Sequence, residues 1–493
     1  MRRARRVFTQ VVTIHQHFRV GVVGCGIGGS LFFEHLAAML EEIDEQPVTE
    51  IEILIFNPEH SIGTGIPFGP DLPCATINTS YRRLNSLGKS STLFTDWLAE
   101  TNRLASQLNS FPIPRSFYGA YSRSKLRNAV QLIEKSIRVR WVKERVHAMW
   151  SIAPDKIQIA TESGEQFLVN ASILAVGNWS PPKIPGTRTC YPLERQIQSI
   201  SPASGPETLI VGTGLSAVDA AVTLAEQGIA CTMASPSGRL PWVQIVEEAE
   251  SPFPKHLTIS AVKELDAEGG LTADAALGLM VRECEEYGVD LNAVLAGQHY
   301  DQHWSDPRED RRHNAAYTVL STANAALNLI FQRLSNEQRQ VFELALNGNW
   351  RRFRFRIPLS RWKQLKNFIL VGLVQLDTLP PVERNPSALA SYSSVIDARG
   401  QSALIQNSTF LTNVFRENGL KCDYKGRGLW DPSTGLLISS RKNSSPKIYG
   451  IGCVTAGSNL ITSALDVIDI QANLVARSIF GQLTCTVPKF KKR

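Results

Sequence analysis

Apolar and polar positions along the chain fall into short apolar runs followed by helical-period stretches, and three of these junctions carry glycine turns. The first is Arg19–Leu40, RVGVVGCGIGGSLFFEHLAAML: a valine-rich run stops at Gly24 and an apolar helix pattern is under way by Ser30. Such a pair predicts a buried strand feeding an amphipathic helix. ETLIVGTGLSAVDAAVTLAEQG repeats the pattern with Gly212, Gly214 and Ala217, and KIYGIGCVTAGSNLITSALDVIDIQANLVARSI gives it once more near the end of the chain. Further strands are predicted at Thr49–Phe56, Arg138–Val142, Lys143–Trp150, Lys156–Thr161, Ala171–Val176, Ile229–Ala234 and Ser393–Ala398, with a helix near Ser124–Ser136. Lys255 to Asn347 is mostly helical in pattern, an all-α insertion within or beside the second domain. WRRFRFRIP alternates strictly, with Arg352, Arg354 and Arg356 on one face and Phe353 and Phe355 on the other, and so predicts a half-buried strand. Its arginine row suits phosphates, an acidic substrate, or the protection of a sheet edge by charge.

The glycine turns carry the chemistry. Gly24, Gly26 and Gly29 match G-x-G-x-x-G between a strand and a helix. The first glycine permits the tight turn, the second lets backbone approach a pyrophosphate, and the third lets the helix pack on the strand. Unpaired N–H groups at the helix N-terminus then face the phosphate oxygens. Where the second strand ends, an acid usually holds the ribose; here Asn57 stands, whose amide oxygen can accept a ribose hydroxyl. The backbone of Val146 is a candidate contact for adenine. In the second turn Gly212 and Gly214, with Ser216 beside them, form the candidate site. The strand that follows ends in Ser235, Ser237 and Arg239 and no acid, a set that suits a 2′-phosphate and hence NADPH, with NADH possible. Gly177, Gly452 and Gly457, at the ends of later strands, are further cofactor-binding candidates. The stretch from Ser61 to Leu98 is a long loop with Phe68, Phe94 and Trp97, expected to be ordered and to lie over the cofactor.

Composition narrows the class. With 493 residues, 43% hydrophobic and 20% charged, the chain predicts two or three soluble globular domains. The net charge of +7 resides at the ends: five arginines in the first twenty residues, and Lys489, Lys491, Lys492 and Arg493. The rest holds 43 basic against 45 acidic residues, which argues against a nucleic-acid partner. No apolar run is long enough for a transmembrane helix. The eight cysteines include no C-x-x-C, which points to free thiols in a reducing cytoplasm and away from a zinc ribbon or redox dithiol. His299 and His303 share a helix spacing that could hold a metal, but no third ligand is near, so no metal is expected. Residues 1–17 are expected to be a disordered or over-extended arm, and 484–493 a basic tail.

Gly24-Cys25-Gly26-Ile27-Gly28-Gly29, the Gly63-Thr64-Gly65 loop, Leu84-Asn85 with Phe94 and Trp97-Leu98, Pro114-Arg115 with Tyr118-Gly119 and Tyr121, Ala175-Val176-Gly177-Asn178, Gly212-Thr213-Gly214, and Gly450-Ile451-Gly452 with Gly457 together form a pattern. On these the chain resembles the two-dinucleotide-binding flavoproteins, and within them a bacterial FAD/NAD(P)-binding protein family related to the N-hydroxylating and Baeyer–Villiger monooxygenases. The resemblance implies an α/β fold of two Rossmann-like dinucleotide-binding domains. A discontinuous FAD domain (18–200 and 395–483) would enclose an inserted NAD(P) domain (205–394) that includes the helical region 255–347. It implies an FAD-dependent oxidoreductase reduced by NAD(P)H, a monooxygenase working through a flavin C4a-hydroperoxide on a small molecule, an amine or amino acid among the candidates. Molecular oxygen would be a co-substrate. Asn78, Asn85 and Lys89 are polar groups able to reach the flavin or oxygen site, and Asn85 and Arg115 are the candidate catalytic pair. Cys453 stands where many such flavoproteins carry an acid. A reductase without oxygen insertion and a non-catalytic nucleotide-binding scaffold remain as alternatives.

Overall fold

The structure is a computed structural model that describes residues 18–485 apart from 43–49, 70–71, 73–74, 78, 80, 90–91, 102–112, 183, 185–196, 199, 201–207, 246–252, 299, 301–309, 381–388, 390–391 and 442–444. Asn78, His299, His303, the arm 1–17 and the tail from 486 lie outside the described residues.

The first sheet begins with the strand–turn–helix unit β1 (Phe18–Val23) and α1 (Ile27–Glu41), followed by β2 (Ile51–Phe56). Short helices α2 (Tyr81–Asn85) and α3 (Phe94–Glu100) lead to α4 (Arg115–Ile133), which starts nine residues before the helix expected at Ser124. Then come β3 (Arg138–Val142), the antiparallel ribbon β4 (Val146–Ala153), β5 (Lys156–Thr161) and β6 (Gln166–Val169), and β7 (Ala171–Leu174). The parallel sheet has the order β14-β7-β1-β2-β3, where β14 (Ile448–Gly450) arrives from the far end of the chain. Its central strands read as continuous apolar runs because both faces are covered, by the ribbon on one side and helices on the other.

The second sheet is also parallel, β12-β9-β8-β13, built from β8 (Thr208–Val211), α5 (Leu215–Glu226), β9 (Cys231–Ser235), β12 (Val374–Thr378) and β13 (Ser394–Asp397). β13 pairs with β8 from Ser394↔Thr208 to Asp397↔Val211. The boundary expected at 394/395 therefore cuts through a strand of the second sheet, and the second domain runs past Asp397. Between β9 and β12 lie the short parallel pair β10 (Val243–Gln244) and β11 (Ile357–Pro358) and a helical cluster. The cluster comprises α6 (Ile259–Ala267), α7 (Ala273–Glu285), α8 (Leu291–Leu295), α9 (Arg311–Thr322), α10 (Asn324–Arg333), α11 (Asn336–Ala345) and α12 (Gly348–Arg354), with α13 (Leu359–Leu370) returning to the second sheet. α14 (Thr409–Asn418) and α15 (Leu465–Cys485) complete the first domain, α15 lying along α1.

The expected strand at WRRFRFRIP is corrected by α12. Asn347 caps this helix, its side chain accepting from the N–H groups of Asn349 and Trp350. Trp350 and Phe353, three apart, share the buried face. The same residues fit both periods, and the cap decides between them.

Candidate functional site

Gly24 turns the chain at φ +85°, and a Cβ there would lie 2.6 Å from the Ala175 carbonyl oxygen. The Gly63–Gly65 loop closes onto the same turn: Gly63 N–H donates to Cys25 O at 2.6 Å, and a Cβ on Gly26 would lie 2.9 Å from Gly65 Cα. Gly28 packs under Ile451, and Gly29 against the Gly24 carbonyl. Gly24, Gly26 and Gly28 line the cavity above this turn, whereas Gly29 serves the packing of helix on strand. The first-turn amides of α1 lack intrahelical partners, as at any helix start, so the turn offers N–H donors.

Asn57 lines the cavity beside this turn; it is 5% exposed, its Oδ1 accepts the Cys25 N–H at 2.8 Å, and its Nδ2 donates to Pro58 O and Ser61 Oγ. The carboxamide thus braces the end of β2 against the glycine turn, a structural task beside the ribose contact read from sequence. Val146 and Arg145 line the same end of the cavity.

Beside the same turn Gly177 (φ +69°) and Gly452 (φ +81°) face open space, with no heavy atom within 4 Å of an added Cβ. Gly452 N–H donates to Gln471 Oε1 at 2.7 Å. The Cys453 thiol donates to Asn178 Oδ1 and lies 3.4 Å from Thr462 Oγ1. Burial pushes this thiol's pKa up, so the position occupied by an acid in many flavoproteins is neutral here. Gly457 is not at the cavity: its Cβ would meet Arg427 O at 2.4 Å, which makes it a packing glycine and corrects its cofactor role.

Both catalytic candidates are engaged elsewhere. Asn85 exchanges hydrogen bonds with Thr95 (Nδ2 to Oγ1 and Thr95 N–H to Oδ1, both 3.2 Å), tying α2 to α3, and it does not line the cavity. Lys89 is exposed. Arg115 does line the cavity, but its Nη2 donates to Asp219 Oδ2 on α5 at 3.1 Å and its Nε to Thr76 O, so it joins the two domains. Phe94, Trp97, Tyr118 and Tyr121 form an aromatic cluster in the first core, and of the loop aromatics only Phe68 reaches the cavity.

The second turn is stricter still. Gly212 has φ +123°, with its Cβ position 2.6 Å from Ala398 O, while Gly214 faces open space. Thr213 Oγ1 donates to Arg239 O at 2.7 Å and to Ser235 Oγ at 3.0 Å, which holds the end of β9 beside the turn. Arg239 stacks 5.0 Å from the Tyr300 ring and donates to Gly297 O. Arg352, from α12, donates to Ser237 Oγ at 2.9 Å and to Asn349 Oδ1 at 2.6 Å. Burial, together with the neighbouring Arg239, lowers the Arg352 guanidinium below its ordinary value. Neither arginine has a carboxylate partner among the described residues. Sequence pattern alone assigned Arg352 to a strand face; its place beside Ser237 depends on the fold of the helical cluster.

Ser216, Gly214, Gly24, Gly177 and Gly452 all open on one cavity of about 2200 Å³. A further part of its lining comes from α2 (Arg83), the helical cluster (Ser321, Asn324 and Arg354) and the start of α15 (Asp466). No group of metal-ligating side chains occurs among the described residues, and no helix among them is long and apolar enough to cross a membrane.

Residues 21–179 match the family model described as FAD-NAD(P)-binding. No curated protein matches the chain in sequence. Among solved structures, the ornithine N-hydroxylase of Kutzneria sp. 744 is 13% identical with a TM-score of 0.53, covering 94% of this chain and 99% of its own. The FAD-bound cadaverine monooxygenase DfoA of Erwinia amylovora is 14% identical with a TM-score of 0.53, covering 96% of each chain. The ornithine hydroxylase PvdA of Pseudomonas aeruginosa is 12% identical with a TM-score of 0.50, covering 95% of this chain and 99% of its own. The chain thus carries an FAD-NAD(P)-binding domain at 21–179 and shares the fold of these enzymes over nearly its whole length.

Proposed function

We propose that this protein is an FAD-dependent oxidoreductase reduced by NADPH, and that it works as a monooxygenase on a small molecule. The observation that carries the proposal is that two glycine turns, from two separate parallel sheets, open on the same cavity. Bound FAD would take a hydride from the nicotinamide and pass its electrons to oxygen. The cradle fits such a group: a side chain at Gly24 or Gly26 would collide with backbone, and the space above Gly177 and Gly452 is open to a flat ring.

The chain's own residues then have distinct tasks. Gly24, Gly26 and Gly28 with the first turn of α1 would hold one pyrophosphate, and Gly212, Gly214 and Ser216 with the first turn of α5 the other. Ser235, Ser237, Arg239 and Arg352 would hold the 2′-phosphate that distinguishes NADPH from NADH. The neutral Cys453–Asn178–Thr462 group would face the flavin without adding charge. The helical cluster would exclude water from the shared chamber. The fold-related Kutzneria enzyme was crystallised with reduced FAD, NADP+ and L-ornithine, and DfoA with FAD, which supports the division of the chamber between two dinucleotides and a small substrate.

The test is oxygen uptake by FAD-loaded protein on addition of NADPH, with catalase added to score peroxide. NADPH-dependent uptake supports the monooxygenase reading. Reduction of ferricyanide or a quinone without any oxygen uptake would replace it with a reductase.

A further inference from the structure

One stretch of the chamber lining is cationic, and the acid within it, Asp466, is already hydrogen-bonded. Arg354, the last residue of α12, is 8% exposed and lines the cavity. Its Nη2 donates to Asn324 Oδ1 at 2.7 Å, and its buried Nε has no hydrogen-bond partner. Arg83 stands in the same wall and donates to Ser321 O at 2.8 Å and to Asp466 Oδ2 at 3.0 Å. Asp466 also accepts from Asn324 Nδ2 through both oxygens, at 3.0 and 3.1 Å. Asn324 therefore presents its oxygen to Arg354 and its nitrogen to Asp466, which fixes both.

Two guanidinium groups face one carboxylate, so among the described residues this wall carries a net positive charge. A buried cation without a counter-ion is costly, and a guanidinium with an unmet N–H is the residue type that pairs most strongly with a planar carboxylate. Burial first, and then the like charge of Arg83, depress the pKa of Arg354 against the opposing pull of Tyr317 and Asp466. An ammonium group in the same place would meet two like charges and an acid already hydrogen-bonded to Arg83 and Asn324.

We infer that the substrate is a carboxylate-bearing anion and that Arg354 receives its carboxylate, in contrast to the diamine cadaverine of the Erwinia enzyme. The inference rests on the flavoprotein reading above and names the substrate class of that site.

The test titrates FAD-loaded protein with glutarate and with cadaverine, five-carbon chains ending in two carboxylates or two ammonium groups. Ionic strength is held constant with sodium chloride, and binding is read by calorimetry and by perturbation of the flavin absorbance. Glutarate is expected to bind saturably and at least about tenfold more tightly than cadaverine. Arg354→Gln should weaken glutarate roughly tenfold or more, the usual effect of losing a charged hydrogen-bond donor, and Arg354→Lys should restore part of the loss. Cadaverine binding as tightly as glutarate, in protein that is yellow and bleached by NADPH, would overturn the inference. So would unchanged glutarate binding in folded Arg354→Gln. Protein that takes up no FAD would overturn the flavoprotein reading instead, and calorimetry would still score the charge preference of the chamber.

Discussion

Gly24 and Gly212 separate the two sites with one methyl group each. At both, φ is positive and the added Cβ would lie 2.6 Å from a carbonyl oxygen, of Ala175 and Ala398 respectively. Such strain costs about 1–3 kcal/mol and displaces the turn. Gly24→Ala should give folded protein with little bound FAD, measured by the flavin-to-protein absorbance ratio. Gly212→Ala should keep FAD and lose NADPH-driven bleaching. Arg239→Ala and Arg352→Ala should each raise the KM for NADPH about tenfold or more and change that for NADH far less, because the proposed 2′-phosphate contact exists for NADPH alone. The glycines were legible in sequence because their requirement is local: a turn between two adjacent elements. The partners of Asn57, Asn85 and Arg115 were not legible, because a polar side chain's partner is chosen by the fold. Cys25 N–H, Thr95 and Asp219 reach them from other elements.

At the scale of elements, WRRFRFRIP shows how an alternating pattern can mislead. Arg354 and Arg356 share the arginine face of a notional strand, yet both are buried. Arg356 is fully buried between the rings of Tyr317, Phe353 and Trp242, and donates to the carbonyls of Phe353, His313 and Val243. Burial lowers its pKa to about 10, still charged at neutral pH. It pins the helical cluster to the β10–β11 pair. Arg356→Ala would leave buried acceptors unpaired and a cavity among aromatics, so a loss of about 3–5 kcal/mol is expected in denaturant unfolding. Strands with continuous apolar runs were readable because burial on both faces leaves a plain signature. A short capped helix rich in arginine has no such signature.

At the scale of the molecule, charged contacts reinforce the packing of the first domain, the second domain and the helical cluster. Arg115 ties the first domain to α5 of the second. Glu343 of α11 ties the helical cluster to the segment after α14, accepting from Arg427 at 2.6 Å and lying 2.7 Å from Lys425 Nζ, with Tyr424 also donating. Burial alone would raise the Glu343 pKa, but the hydrogen bonds from Arg427, Lys425 and Tyr424 outweigh it and hold it at about 2, against an ordinary 4.5. The folded state thus keeps a proton off Glu343 where the unfolded chain would bind one. Its stabilising contribution is complete above about pH 4.5 and fades as pH falls toward 2. Glu343→Gln should flatten the acid limb of a pH–melting curve relative to the unchanged protein. The discontinuous first domain was legible because each of its returning strands carries its own glycine turn. The exact boundary at Asp397 was not, because which sheet a lone strand joins depends on pairing with β8. Two dinucleotides meeting in one chamber should exchange a hydride, and anaerobic stopped-flow mixing of FAD-loaded protein with NADPH or NADH tests that most directly. Bleaching of the oxidised-flavin band, faster with NADPH than with NADH, is the predicted result. Protein that stays colourless after incubation with FAD, or bound flavin that neither nucleotide bleaches, would contradict it.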